Sequence, residues 1–428
     1  MGIVRVQSEF ARLVLTDKKY ADIKFIAHHN AFDFFYYVDR EKIAGLLERQ
    51  NEVVIAGEGG DGRGKQKGEG ERRALQGKEK LKNMLLARKQ TALVFHLQQL
   101  KHKLFMLKTQ LTAPREERAA FEQVVWQKGD KVLSLDIDWM SRSLFCLKKN
   151  KRKYQLKVVC TCYDLVPIKY PQFADEQNYM TCFPHYIQNM LRIADRVMCI
   201  SRAVEKDLLS YAKEKGISPP PTQVIRLGDN VWHQPKSKEP SDAKLRSIIK
   251  KPYILYVSTL EVRKNHLLLF EVYERLVRKY AGRLDELGEL VLVGSLGWKI
   301  EEFLSRLEQN PRVKQKIHIV ANLNDDDLSH AYRNCLFTVY PSFAEGWGLP
   351  VAESFSYGKA CLCADNTSLP EVGGELAEYL GADDIEGWAE KIEEYLTDKK
   401  VLRGRETLIK KEYRVWRWED FGKQVLAQ

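Results

Sequence analysis

Tyr340-Pro-Ser-Phe-Ala-Glu345-Gly-Trp-Gly-Leu-Pro350-Val-Ala-Glu353-Ser decides how the chain folds. The apolar run 336–340 leads into it and has the composition of a buried strand. Pro341 and Ser342 end that strand, and Gly346 and Gly348 allow the backbone turns closed to other residues. Pro350 suits the start of a helix and Gly358 its end. The stretch therefore predicts strand, glycine loop and short helix, with the helix N-terminus facing a crevice. Glu345 falls in the loop and Glu353 in or near the first helical turn. Ionised carboxylates only accept hydrogen bonds, and each can take a vicinal pair of hydroxyls. Two of them beside free helix N–H groups suit a ligand that is rich in hydroxyls and carries an anion.

The surrounding pattern extends this unit. Strand-like runs at 253–257, 290–294 and 316–320 alternate with helical runs at 266–280, 298–308 and 325–334. Such alternation predicts a parallel sheet covered on both faces. The first half alternates less cleanly, with strands expected at 23–27, 131–135, 158–161, 194–201 and 222–227 and a helix at 202–215. Gly2 is expected in a loop that runs into a helix through Leu15. The polar segment 230–251 has the composition of a linker or a domain boundary. The expected architecture is α/β, with two Rossmann-like parallel-sheet domains facing a central crevice. The boundaries are 1–235, 236–410 and a last helix, 411–428, crossing back to the first domain.

Bulk properties set further limits. The 428 residues, 44% of them hydrophobic, suit about two or three domains. No apolar run approaches the roughly 18 residues of a spanning helix. The net charge is +11, and residues 63–118 hold 15 Lys/Arg against 5 Asp/Glu. One segment thus carries nearly all the excess, which points to a local anionic partner. Within it, Leu86, Leu93, Leu97, Leu100, Leu104, Leu107 and Leu111 keep helical spacing. The helix reads either as a paired helix with a solvated basic face or as a surface helix touching anionic lipid. Aromatics other than Phe95 and Phe105 are absent from the segment, which argues against nucleic acid. The eight cysteines include the pairs Cys160/Cys162 and Cys361/Cys363 on strand-like runs; these read as small buried side chains in a reducing, cytosolic compartment.

A second group, Ser258-Thr259-Leu-Glu-Val-Arg263-Lys264-Asn265, follows a strand and opens a helix. Cations are unfavourable near a helix N-terminus unless an anion offsets them, so Arg263 and Lys264 are expected to hold a pyrophosphate. Asp164 at a strand end reads either as an acceptor-hydroxyl contact or as a turn former before Pro167. Glu371 is a further candidate ligand contact, and turn chemistry explains its stretch equally well.

Together these motifs resemble the retaining glycosyltransferases of family four, with the GT-B fold. The resemblance rests on the E-x7-E pattern of Glu345 and Glu353, the Arg263-Lys264-Asn265 element, the 163–171 and 194–201 strand-and-turn patterns, and Trp416-Arg-Trp-Glu-Asp-Phe421. It covers nearly the whole chain and is weakest over 50–130. It implies a hexosyltransferase without a metal or other cofactor, using a nucleotide-diphosphate sugar and a glycan or lipid-linked acceptor. Its similarity to bacterial polysaccharide mannosyltransferases implies GDP-mannose as donor. The catalytic residues would be Arg263, Lys264, Glu345 and Asp164. Donor contacts would come from Gly2, Ser258, Thr259, Asn265, Gly346, Trp347, Gly348, Leu349 and Glu353, with Glu353 on the ribose. Ser258 replaces a glycine common in relatives and is expected to offer its N–H. The family's first strand is expected to be missing before Gly2. A nucleotide-sugar epimerase of the same fold and a catalytically impaired sugar-nucleotide-binding protein are the alternatives. The expected location is cytoplasmic, peripheral on the inner face of the membrane through 63–118.

Overall fold

A computed structural model describes residues 2–29, 34–52, 122–135, 143–174, 179–229, 237–321 and 323–428. The basic segment 63–118 and its leucine pattern lie outside the described residues.

Two parallel sheets form the frame, as the alternating pattern predicts. The first holds β3 (Lys131–Ser134), β4 (Lys157–Cys162), β5 (Arg196–Cys199) and β6 (Thr222–Val224), in that order. The second holds β7 (Tyr253–Val257), β8 (Glu289–Val293), β9 (Ile317–Val320), β10 (Thr338–Tyr340), β11 (Cys361–Ala364) and β12 (Glu378–Leu380). Its order is β12-β11-β10-β7-β8-β9. Every residue of β7, β8, β10 and β11 is buried, which explains their largely apolar character; Glu289 and Thr338 are the polar exceptions. A separate antiparallel hairpin, β1 (Phe25–His29) and β2 (Phe34–Val38), lies two residues later than the expected 23–27 strand begins. The four cysteines of the two C-x-C pairs are buried free thiols.

The second sheet reverses its strand order between β7 and β10, neighbours paired at Leu255 and Thr338. At such a switch point the two following loops diverge to opposite faces and leave a crevice at the strands' carboxyl ends. Residues 263–264 follow β7 and residue 345 follows β10. The topology therefore brings both sequence motifs to one place.

Three expectations need correction. Gly2 is not in a loop: the helix Gly2–Thr16 begins there. The segment 230–251 is not linker throughout. Ala243–Ile248 is helical, capped by Asp242, and buries Leu245 and Ile248 in the second domain. The chain just before it is tied down, because Asp327 accepts the backbone N–H of Ser241 at 2.6 Å. The third correction is smaller: the 298–308 helix starts only at Glu301.

The chain returns to the first domain at its end. After the helix Lys399–Glu412, the helix Trp418–Leu426 buries Trp418, Phe421 and Val425 in the first-domain core. Two glycines permit this. A Cβ on Gly228 would lie 2.5 Å from the Trp418 ring, and one on Gly422 would lie 2.1 Å from Leu13 Cδ2. Asp229, fully buried, locks the entry by accepting from Trp416 N–H at 2.8 Å, Tyr413 Oη at 2.5 Å and Arg226 Nη2 at 3.0 Å.

Trp418→Ala is therefore expected to destabilise the first domain by about 3–5 kcal/mol in urea denaturation. A loss below about 1 kcal/mol, the range of a surface change, would show that the crossing is anchored elsewhere.

Candidate functional site

The loop after β10 is built around two glycines with different tasks. Gly348 precedes the helix Leu349–Ser356 with φ 115°, a conformation that L side chains avoid. Gly346 has no such φ; it is small because the first domain touches it. A Cβ there would lie 2.0 Å from the carbonyl oxygen of Tyr163, at the end of β4. Ser201 of the first domain donates its hydroxyl to the Gly346 carbonyl at 2.8 Å. Trp347 and Leu349 pack into the first-domain core. The two domains meet at this loop, and these two side chains serve that packing.

Across the switch point, the 3-10 turn Val262–Lys264 carries the two cations. Asn265, at φ 59°, follows. Its side-chain amide donates to the carbonyls of Pro341 at 3.1 Å and Ala382 at 2.7 Å, so it staples the loops together. Arg263 donates through Nη1 to the Ala344 carbonyl at 2.6 Å and to Glu345 Oε2 at 2.9 Å. Its Nη2 lies 2.6 Å from Glu261 Oε1. Lys264 Nζ donates to Glu345 Oε1 at 2.5 Å and to Tyr340 Oη at 3.1 Å. The three side chains are 18%, 9% and 8% exposed for Arg263, Lys264 and Glu345. The anion that the cations require is thus supplied by the protein itself, through Glu345 and Glu261.

The electrostatics follow from this geometry. Burial alone would raise the Glu345 carboxyl, but Arg263 and then Lys264 outweigh it and hold it at about 2. Burial would lower the Arg263 guanidinium, and Glu345 with Glu261 more than reverses that. Lys264 is lowered, by burial first and then by Arg263, against the pull of Glu345.

Glu353 is the fifth residue of its helix, next to the first turn. Its Oε2 accepts from Tyr332 Oη at 2.9 Å and its Oε1 from Arg5 Nη1 at 3.2 Å. Asp164 reaches the same cluster from the first domain. Burial raises its carboxyl, Arg263 being the largest opposing influence. Its Oδ1 accepts the Val166 N–H at 3.0 Å, a turn-forming bond. The expectation for Ser258 fails: its N–H is spent on the Val293 carbonyl at 2.9 Å, because it prolongs the β7–β8 ladder. Its hydroxyl lies 3.2 Å from His266 Nε2. Thr259 follows at the end of β7, half-buried against Gly297. Gly2 lies one helical turn before Arg5.

Sequence reasoning missed Arg5, Glu261, Tyr332 and Tyr340 as parts of this cluster. Glu261 stands two residues before Arg263 and could have been found as its local counter-ion. Glu371 turns out to cap the first-domain helix Arg202–Glu214, accepting the Arg202 N–H at 3.0 and 2.8 Å.

The Glu345 carboxyl sits below its ordinary 4.5 in the folded chain. Its ionisation therefore favours folding fully above about pH 4.5, and that contribution disappears as the pH falls through about 2. The shift corresponds to about 3 kcal/mol. The stability gap between wild type and Glu345→Gln is expected to narrow between about pH 6 and about pH 3 in urea titrations. A gap that stays constant over that range would contradict the ion-pair assignment.

Parts of the chain are similar to known proteins. Residues 237–414 match the family model for glycosyl transferases group 1. The serotype-specific mannosyltransferase WbdA of Escherichia coli is 24% identical over 289 residues, covering 65% of this chain and 35% of that protein. The Escherichia coli O-antigen chain mannosyltransferase B is 28% identical over 244 residues, covering 56% of this chain and 62% of that protein. The chain thus spans less than two thirds of either relative. Among solved structures, sucrose-phosphate synthase from Thermosynechococcus elongatus superposes with a TM-score of 0.51 at 19% identity, over 69% of this chain and 71% of that one. Anabaena HepE in complex with UDP-glucose superposes with a TM-score of 0.52 at 15% identity, over 70% and 78%. Residues 237–414 are therefore similar to the glycosyl transferases group 1, within a chain that has the two-sheet GT-B fold.

Proposed function

We propose that the chain is a retaining hexosyltransferase that moves mannose from GDP-mannose to a glycan or lipid-linked acceptor in surface-polysaccharide synthesis, without a metal. The observation that carries this reading is the buried Arg263–Lys264–Glu345 cluster at the β7/β10 switch point. The choice of mannose is supported by the names of the Escherichia coli relatives, and a nucleotide-sugar donor by the UDP-glucose complex of HepE.

In the free protein the cluster balances itself, two cations against Glu345 and Glu261. A diphosphate competes for Arg263 and Lys264 with more charge and more acceptor oxygens than one carboxylate. Glu345, released from at least one of the cations, can then accept hydrogen bonds from the hydroxyls of the transferred sugar. Glu353 takes the ribose hydroxyls. As the bond between the anomeric carbon and the diphosphate oxygen breaks, negative charge grows on the departing diphosphate. Arg263, Lys264 and the helix N-terminus at Leu349 stabilise that charge from fixed positions in a poorly solvated site. The acceptor hydroxyl enters from the face the diphosphate leaves, and its proton passes to a diphosphate oxygen. Asp164, with one oxygen already in a turn, lines the acceptor side.

Lys264→Ala leaves Arg263 to hold Glu345 and is expected to keep the fold, as read by thermal melting. It should lower turnover of GDP-mannose with a lipid-linked mannan acceptor by about a hundred- to a thousandfold. Turnover at the wild-type rate in a folded Lys264→Ala variant would refute the proposal.

A further inference from the structure

We propose that Arg5 is a positioning residue for donor recognition: reaching from the first domain, it fixes Glu353 of the second, so that ribose capture depends on both domains. The inference rests on the reading of Glu353 as the ribose ligand.

A carboxylate that receives a pair of vicinal hydroxyls must hold its plane still, because both bonds are directional. A glutamate side chain with free rotamers loses that advantage on ordering. Glu353 is fixed at both oxygens. Tyr332, from the helix Asp325–Asn334, holds Oε2 at 2.9 Å, and its ring is stacked on Tyr357 with centroids 5.1 Å apart. Both of those residues belong to the second domain. The other oxygen, Oε1, is held at 3.2 Å by Arg5, which belongs to the first. Each carboxylate oxygen has a second lone pair, so a diol can bond while Tyr332 and Arg5 stay in place.

Arg5 is itself held in place. The helix Gly2–Thr16 buries Val6, Phe10 and Val14 in the first-domain core, and its Leu13 fills the space left by Gly422 in the crossing helix. The Arg5 and Glu353 side chains are 18% and 7% exposed, so solvent screens the pair weakly. Burial would lower the Arg5 pKa, but Glu353, then Asp325 and Glu9, raise it and keep the guanidinium charged. Arg5 bonds Glu353, whereas Arg263 and Lys264 bond Glu345. Ribose and diphosphate recognition therefore rest on separate ion pairs and can be perturbed separately.

The test is calorimetric titration of GDP, 2′,3′-dideoxy-GDP and inorganic pyrophosphate into wild type, Arg5→Ala and Arg5→Lys. Wild type should prefer GDP over dideoxy-GDP. Arg5→Ala should weaken GDP by roughly tenfold or more, the scale of a lost charge-assisted contact, and erase most of that preference. Pyrophosphate affinity should stay within about twofold, and Arg5→Lys should recover part of the loss. Steady-state kinetics should show the same split, a raised donor KM with kcat little changed. Arg5→Ala retaining the full preference, or losing GDP and pyrophosphate equally, overturns the inference; the second outcome means a purely structural role. A wild type that binds GDP and dideoxy-GDP alike removes the ribose reading of Glu353 and this inference with it.

Discussion

Everything in the crevice depends on one constraint: two cations and a carboxylate must share a small, nearly dry volume. Arg263 and Lys264 are adjacent in sequence and would repel each other without an anion between them. Glu345 bonds both, one oxygen each, and Glu261 takes the second arm of Arg263. Removing Glu345 leaves both cations without the carboxylate they share, at a cost of about 3–5 kcal/mol. The pairing across 82 residues is made possible by β7 lying beside β10 in the sheet. The fold supplies the meeting point, and the charges make it specific.

The same loop joins the domains. Gly346 lies against the Tyr163 carbonyl, Ser201 bonds its carbonyl, and Glu371 caps the helix that follows Ser201. Phe343 stacks on Phe173 with ring centroids 5.1 Å apart, and Trp298 donates to the Phe173 carbonyl at 2.7 Å. These contacts come from the loops at the carboxyl ends of both sheets. Where the first domain sits thus determines the shape of the donor crevice, and the crossing helix at the chain's end sets that position.

The second sheet was legible because β7, β8, β10 and β11 are buried on both faces. Such strands are short continuous apolar runs, and 253–257 stands out on that ground. The helix Ala243–Ile248 was not legible, since it buries only Leu245 and Ile248 among lysines and serines. For the site, the sequence indicated which residues come together but not how they pair. Nothing local tells that Glu345 holds the cations, because that bond depends on strand order. Gly346 shows the same limit: its smallness answers a carbonyl from the other domain, not a backbone angle of its own. Arg5 lay close to a residue already singled out, Gly2, yet its partner is 348 positions away.

The central claim is that Glu345 occupies, in the free protein, the place a donor diphosphate takes. A crystal structure of the chain with GDP bound tests it most directly. Phosphate oxygens are expected within about 3 Å of both Arg263 and Lys264. Glu345 is expected to be turned away from at least one of these cations, with the ribose hydroxyls on Glu353. GDP bound in the crevice with both Glu345 ion pairs intact, or bound elsewhere on the molecule, would contradict it.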